Sequence, residues 1–172
     1  MALTTEPKAA AYAYGIASPS SPIVHGVEKA SSAWLTGAFI QDDDSGRMTL
    51  SVSPIDASGV TKRAIGLARD KATGVTDADV EFTWLDSRAV VEITLSDATA
   101  TTHTLAQADQ WKVYPILKTA TGNWYLDANA VSDTGGGIVV GFKDDIGTVD
   151  GRVYMILSNT ARGGLNAGSG TY

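Results

Sequence analysis

The chain has 172 residues, a formal net charge of -6 at pH 7 and no cysteine. The length suits one domain with a substantial core. The acidic balance excludes nonspecific nucleic-acid binding, which needs a basic face to displace counterions from phosphates, and the missing thiols exclude disulfide frameworks, thiolate nucleophiles and cysteine-type zinc sites. Charged residues make up only 19%, below the roughly 25% of an average globular chain, and Ser, Thr, Ala and Gly fill the difference. Such a surface suits extended β structure and broad contacts between subunits. No run approaches the roughly 20 apolar residues of a membrane-spanning helix, so a soluble chain without membrane contact is expected. MALTTEPKAAAYAYGIASPSSP lacks a basic stretch followed by an apolar one, so no secretory signal is read there and synthesis in the cytoplasm is the expectation.

Residues 1–30 carry Pro7, Pro19 and Pro22 among serines, a mixture that favours extended backbone and predicts an N-terminal arm. Tyr12 and Tyr14 alternate with alanines there, so a short strand is expected to pair with a sheet edge of the same or a neighbouring subunit. From Ser31, SSAWLTGAFI leads into the core, and after the acidic loop Asp42–Asp44 the run Met48–Val52 completes a hairpin that Pro54 stops. Ile55–Thr76 is broken by Gly59, Gly66 and Gly74, with a strand expected around Ile65 and Leu67. Val80–Leu85 and Arg88–Leu95 are rich in β-branched and aromatic residues and flank Asp86-Ser87, which predicts a central hairpin with one face buried.

Leu105–Gln110 is the best short-helix candidate. Trp111–Leu117 and Asn123–Ala130 form a second expected hairpin, with Pro115 placing its strand at an edge or bulge. Gly135-Gly136-Gly137 precedes the run Ile138–Phe142, and Asp150-Gly151 before Arg152–Leu157 is the strongest tight-turn signal in the chain. This spacing predicts a mainly β fold, an antiparallel β-sandwich or barrel-like domain with little helix and with extended N- and C-terminal arms. Its expected divisions are an arm at 1–30, a β-rich core at 31–160 and a glycine-rich tail at 161–172.

No constellation carries a reaction. Placing Gly46 at the invariant glycine of a calcium-binding loop puts Gln41 and Val52 at the end ligands, so the aspartates read as an ordinary acidic turn. Asp144-Asp145, and Asp127 with Asp133, read as solvated carboxylates. His25 and His103 make no ligand motif, and no Gly-x-Ser-x-Gly elbow occurs. The Gly135–Gly137 run opens a β segment, whereas a phosphate loop opens a helix; backbone freedom at a bulge or close subunit contact is expected there. Lys62, Arg63, Arg69 and Lys71 read as solvated charge around a loop. Trp34, Trp84, Trp111 and Trp124 are mostly explained by core packing. The chain is therefore read as a non-enzyme with no cofactor and no metal.

In layout the chain resembles small virion proteins of tailed bacteriophages, head decoration or cement proteins in particular. The likeness lies in the MALTTEPKAAA start, the Ser/Pro-bearing arm, the Thr/Ala/Gly-rich β body without cysteine and the LNAGSGTY end. It implies a virion location on the outer capsid surface, a homo-oligomer with a trimer favoured, and the major capsid protein as partner, whose subunits it would bridge. On this expectation Tyr12, Tyr14, Ile16 and Ile23 anchor the N-terminal arm on its partner. A tail-tube or tail-completion virion protein, and a carbohydrate-binding module using exposed tryptophans, stay open as alternatives.

Overall fold

The computed structural model describes residues 7–15, 23–43, 45–55, 64–86, 89–99, 102–130, 135–158 and 161. Its first strand, β1 (Ala11–Gly15), belongs to an open sheet. The next five, β2 (Ile23–Glu28), β3 (Phe39–Asp42), β4 (Arg47–Leu50), β5 (Gly66–Ala68) and β6 (Asp79–Trp84), close into a barrel ordered β2-β4-β3-β5-β6. The chain then returns to the sheet with β7 (Ala89–Ser96), β8 (Val113–Tyr114), β9 (Ile116–Lys118), β10 (Trp124–Asp127), β11 (Gly137–Phe142) and β12 (Arg152–Leu157). These run in the order β8-β11-β12-β7-β10-β9, with β1 beside β7. The fold is mainly β, as the turn spacing predicts. Among the described residues its one helical element is a 3-10 turn at Gln107–Asp109, within the expected 105–110 segment, and no helix is long and apolar enough to cross a membrane.

The barrel is an insertion between two paired strands. β1 and β7 run antiparallel from Ala11 opposite Glu92 to Gly15 opposite Ala89, while β2 and β6 pair from Ile23 opposite Thr83 to Val27 opposite Asp79. Entry to the barrel and exit from it therefore lie side by side, the arrangement in which an inserted unit disturbs its host least.

This topology corrects the expected central hairpin. Both of its strands form, but they do not pair: β6 bonds to β2 and β5 inside the barrel, and β7 bonds to β12 on one edge and to β1 and β10 on the other. A strand with both edges paired keeps little of a polar side: of the three residues expected to face outward, only Glu92 stays partly exposed, paired with Arg152 and Lys143. Val90 and Thr94, expected to face outward opposite Val91, Ile93 and Leu95, are buried with them. The unbroken run Ala89-Val90-Val91 already carried that message, since continuous apolar strands sit in the middle of a fold.

Two other expected hairpins form: β3 with β4, registered Ile40 opposite Leu50, and β9 with β10, registered Leu117 opposite Tyr125. Pro115 lies between β8 and β9, where the chain leaves β11 for β10, so a residue that cannot donate marks the change of partner. Asp150-Gly151 is not the tip of a tight hairpin, because the connection from β11 to β12 spans 143–151. Asp150, at φ 48°, exchanges hydrogen bonds with His103, and a Cβ on Gly151 would strike Leu105, so the pair forms a corner packed on 103–105. The close contact expected at the glycine run is internal. Gly136 has φ 136° and its missing Cβ would collide with the Tyr114 carbonyl, while one on Gly137 would collide with Met155.

One hydrophobic cluster joins the two bodies. Phe39, Ile40, Leu67 and Phe82 of the barrel are contiguous with Trp124, Leu126, Val139 and Met155 of the sheet. Phe39 meets Trp124 edge to face, centroids 5.4 Å apart and planes at 77°. Ile55 covers the outer edge of β9 through a bridge to Ile116, with N–H to O distances of 2.8 and 3.2 Å. The segment expected as an arm is part of this architecture where it is described: β1 extends the sheet, β2 is a barrel strand, and Ala10 is buried.

Candidate functional site

The four residues expected to anchor the arm are not gathered into one site. Tyr12 and Tyr14 lie in β1 opposite Val91 and Val90 of their own chain, so this strand pairs within the subunit. Their side chains, and Ile16 as a whole, lie outside the described residues. Ile23 opens β2 and leaves 48% of its surface exposed. Of the tryptophans, Trp34 and Trp124 are buried and Trp84 packs against the core, whereas Trp111 is 68% exposed.

Trp111 is held out by design of the chain around it. Its backbone adopts φ 69°, a left-handed conformation unfavourable for a bulky side chain. Two hydrogen bonds clamp it to the edge of β11: Trp111 N–H donates to Val139 O at 2.7 Å, and Val139 N–H donates to Lys112 O at 3.0 Å. Gln110 adds a third by donating from Nε2 to Val140 O at 3.2 Å. Just before it, the 3-10 turn is pinned from below by Asp109, whose Oδ1 accepts from Tyr114 OH at 2.8 Å. Asp109 Oδ2 accepts from Ala106 N–H and contacts His103 Nε2, both at 2.9 Å. Ile146 and Val149, also largely exposed, come from the connection that is laced to the same segment: Gly147 N–H donates to Leu105 O, Leu105 N–H to Thr148 O, and Thr104 bridges Val149.

Burial pushes the Asp109 carboxyl up, but the bonds from His103, Ala106 and Tyr114 outweigh it and leave the group below its ordinary value. Burial first, and Asp109 second, push the Tyr114 hydroxyl well up, so it stays a donor. A depressed carboxyl contributes stability that is complete above the unfolded value, about 3.9, and is lost as pH falls through the folded one. Asp109→Asn is expected to cost about 1.5 kcal/mol at pH 7 and to flatten the loss of stability between pH 5 and pH 3, roughly the carboxylate range. Urea unfolding at both pH values checks this. Asp43, Asp77 and Asp144 are also depressed and keep part of the slope in the variant.

Of the aspartate loop, Asp44 lies outside the described residues, and Asp42 and Asp43 accept hydrogen bonds from the backbone that follows them. Asp42 Oδ1 accepts from Gly46 N–H at 3.0 Å, and Asp43 Oδ1 accepts from Ser45 and Arg47 N–H at 3.0 and 3.2 Å. Asp43 also pairs with Lys29 at 3.5 Å. Asp144 is engaged by Arg152, which reaches Glu92 with its other amino group at 2.7 Å. Among the described residues no three His, Cys, Asp or Glu side chains gather as a set able to hold a metal ion.

A cleft of about 350 Å³ lies where the barrel meets the β9–β10 turn. The barrel side contributes the Ser32–Leu35 and Lys71–Gly74 loops, and the sheet side contributes Lys118 and Ala120–Gly122. The Lys71–Gly74 wall is held by Glu28, fully buried at the end of β2. Its carboxylate accepts from Thr73 N–H and Thr73 Oγ1 at 2.8 Å and from Gly74 N–H at 2.5 Å. Trp34 Nε1 donates to Asp70 O at 3.0 Å, and Ala72 N–H to Trp34 O at 3.0 Å, which ties the two barrel loops together. Sequence reasoning had no means of finding this cleft, because its walls come from segments far apart in sequence that meet only when the barrel packs against the sheet. Set against family models, curated proteins and solved structures, the chain has no match in any of the three.

Proposed function

We propose that the protein is a non-enzymatic structural protein that docks on a larger assembly, and specifically a head decoration protein that binds the outer capsid surface of a tailed bacteriophage and bridges major capsid subunits. The resemblance in layout supplies the virion and the favoured trimer. The observation that carries the docking role is Trp111, an exposed indole on a clamped, left-handed backbone. An exposed side chain gains little for the fold, whereas a rigid tryptophan that becomes buried against a partner is a typical anchor of binding energy. Ile146 and Val149 extend the apolar character of the same laced segment. The most deeply buried acid and histidine pair, Asp109 with His103, acts in this reading as the support beneath the anchor.

The test is to mix the purified protein with empty shells assembled from the major capsid protein encoded in the same genome, then image them. Regular, saturable density on the outer surface is the expected result, and shells left bare by folded protein would contradict the reading. Trp111 also favours a second reading, stacking on a sugar ring; binding to a glycan array with no binding to shells would select it.

A further inference from the structure

We propose that the cleft between the barrel and the β9–β10 turn is a docking site for a short acidic peptide segment of a partner protein. The proposal stands independently of the capsid reading, because it concerns the isolated chain. In a protein of net charge -6, the residues lining this cleft include two lysines, Lys71 and Lys118, and no Asp or Glu. Neither lysine makes an ion pair among the described residues, although most of the other described basic side chains do. The two come from different bodies, one from the β5–β6 loop of the barrel and one from β9 of the sheet.

The remaining lining decides which anion fits. A phosphate site is built from converging backbone N–H groups, but the N–H groups of Thr73 and Gly74 are turned to Glu28. A sugar site presents an exposed aromatic plane, but Trp34, the one aromatic residue of the lining, is buried with its N–H engaged by Asp70. What the cleft offers beside its lysines is aliphatic: Leu50, and Leu35, which is half exposed and reaches across toward Gly122. Carboxylates at the rim with an aliphatic side chain between them match that pattern, and the volume is at the lower end of ligand pockets, roughly 300–1,000 Å³. A peptide of alternating Asp and Leu has this chemistry.

The experiment is fluorescence anisotropy with the full chain and three labelled probes: a hexapeptide alternating Asp and Leu, its Asn/Leu counterpart, and a galacturonate trimer. The Asp/Leu peptide is expected to bind saturably, and Lys71→Glu with Lys118→Glu is expected to weaken it at least tenfold while the circular dichroism spectrum and thermal midpoint stay in place. Leu35→Ser, at an exposed position, is expected to weaken it severalfold. No binding of the Asp/Leu peptide, equal binding of the Asn/Leu peptide, or indifference to the charge reversal would overturn the proposal. Binding of the galacturonate in preference to the peptide would overturn it too, by assigning the carboxylates to a sugar.

Discussion

Trp124→Ala is expected to destabilise the protein by about 4 kcal/mol, since truncating a fully buried tryptophan removes its transfer energy and leaves a cavity. The position matters more than the size. Trp124 stands on β10 of the sheet and packs in a T-shaped pair with Phe39 from β3 of the barrel, so the cavity opens at the seam between the two bodies. Because one hydrophobic cluster spans that seam, the wild-type barrel and sheet should unfold together, and guanidinium curves followed by tryptophan fluorescence and by far-ultraviolet circular dichroism should coincide. In the variant the midpoint should fall and the two curves should separate, as the barrel loses its hold on the sheet. Trp124→Phe is the informative companion. The Trp124 indole N–H has no hydrogen-bond partner among the described residues, so phenylalanine gives up no described bond while keeping most of the packing, and about 1 kcal/mol is expected. Coincident curves and an unchanged midpoint in Trp124→Ala would mean that the two bodies do not share a core.

Glu28→Ala is expected to cost about 3 kcal/mol, for a different reason. The carboxylate is fully buried and satisfies three donors of a loop 45 or 46 residues away in sequence, and deleting it leaves two backbone N–H groups and a hydroxyl without an acceptor. The lower end of the usual penalty applies because Thr73 and Gly74 are themselves exposed, so water reaches the freed donors. Glu28→Gln should cost about half as much, since its amide keeps one acceptor oxygen but turns an NH2 group toward donors. Urea unfolding measures both. The loop that Glu28 pins also carries Lys71, so the alanine variant should weaken the Asp/Leu peptide as well. A Glu28→Ala protein as stable as the wild type would show that the 71–78 loop is held by something else.

These effects trace what was legible in the sequence. Strand positions were legible because local alternation and turn residues encode them: the β3–β4 and β9–β10 hairpins, the strand at Leu67 and the two runs that became β6 and β7 all follow from side-chain period. Strand partners were not. Asp86-Ser87 looks like a hairpin tip, yet the chain crosses there from barrel to sheet, and which edge a strand pairs with depends on long-range closure that no local window contains. β2 was hidden for a related reason. Gly26 weakens its strand pattern, yet it suits the barrel, because a Cβ there would meet the Met48 and Phe82 side chains at 3.0 and 3.2 Å and oblige them to shift. Glu28 carried no sign of its burial, because its partners Thr73 and Gly74 lie in the β5–β6 loop, 45 and 46 residues away in sequence. Trp111 opened an expected strand and is instead a left-handed, exposed residue, a conformation that composition does not announce.

The reading of the whole molecule rests on this surface: a barrel inserted into a sheet supplies stiffness, and a pinned turn presents an indole for a partner to cover. The measurement that bears on it most directly is the affinity of Trp111→Ala for empty shells, with the thermal midpoint recorded alongside. The account predicts a loss of about 2 kcal/mol, roughly thirtyfold in Kd, with a midpoint unchanged or slightly raised as the left-handed position loses its bulky side chain. Wild-type affinity in a folded Trp111→Ala protein would contradict it.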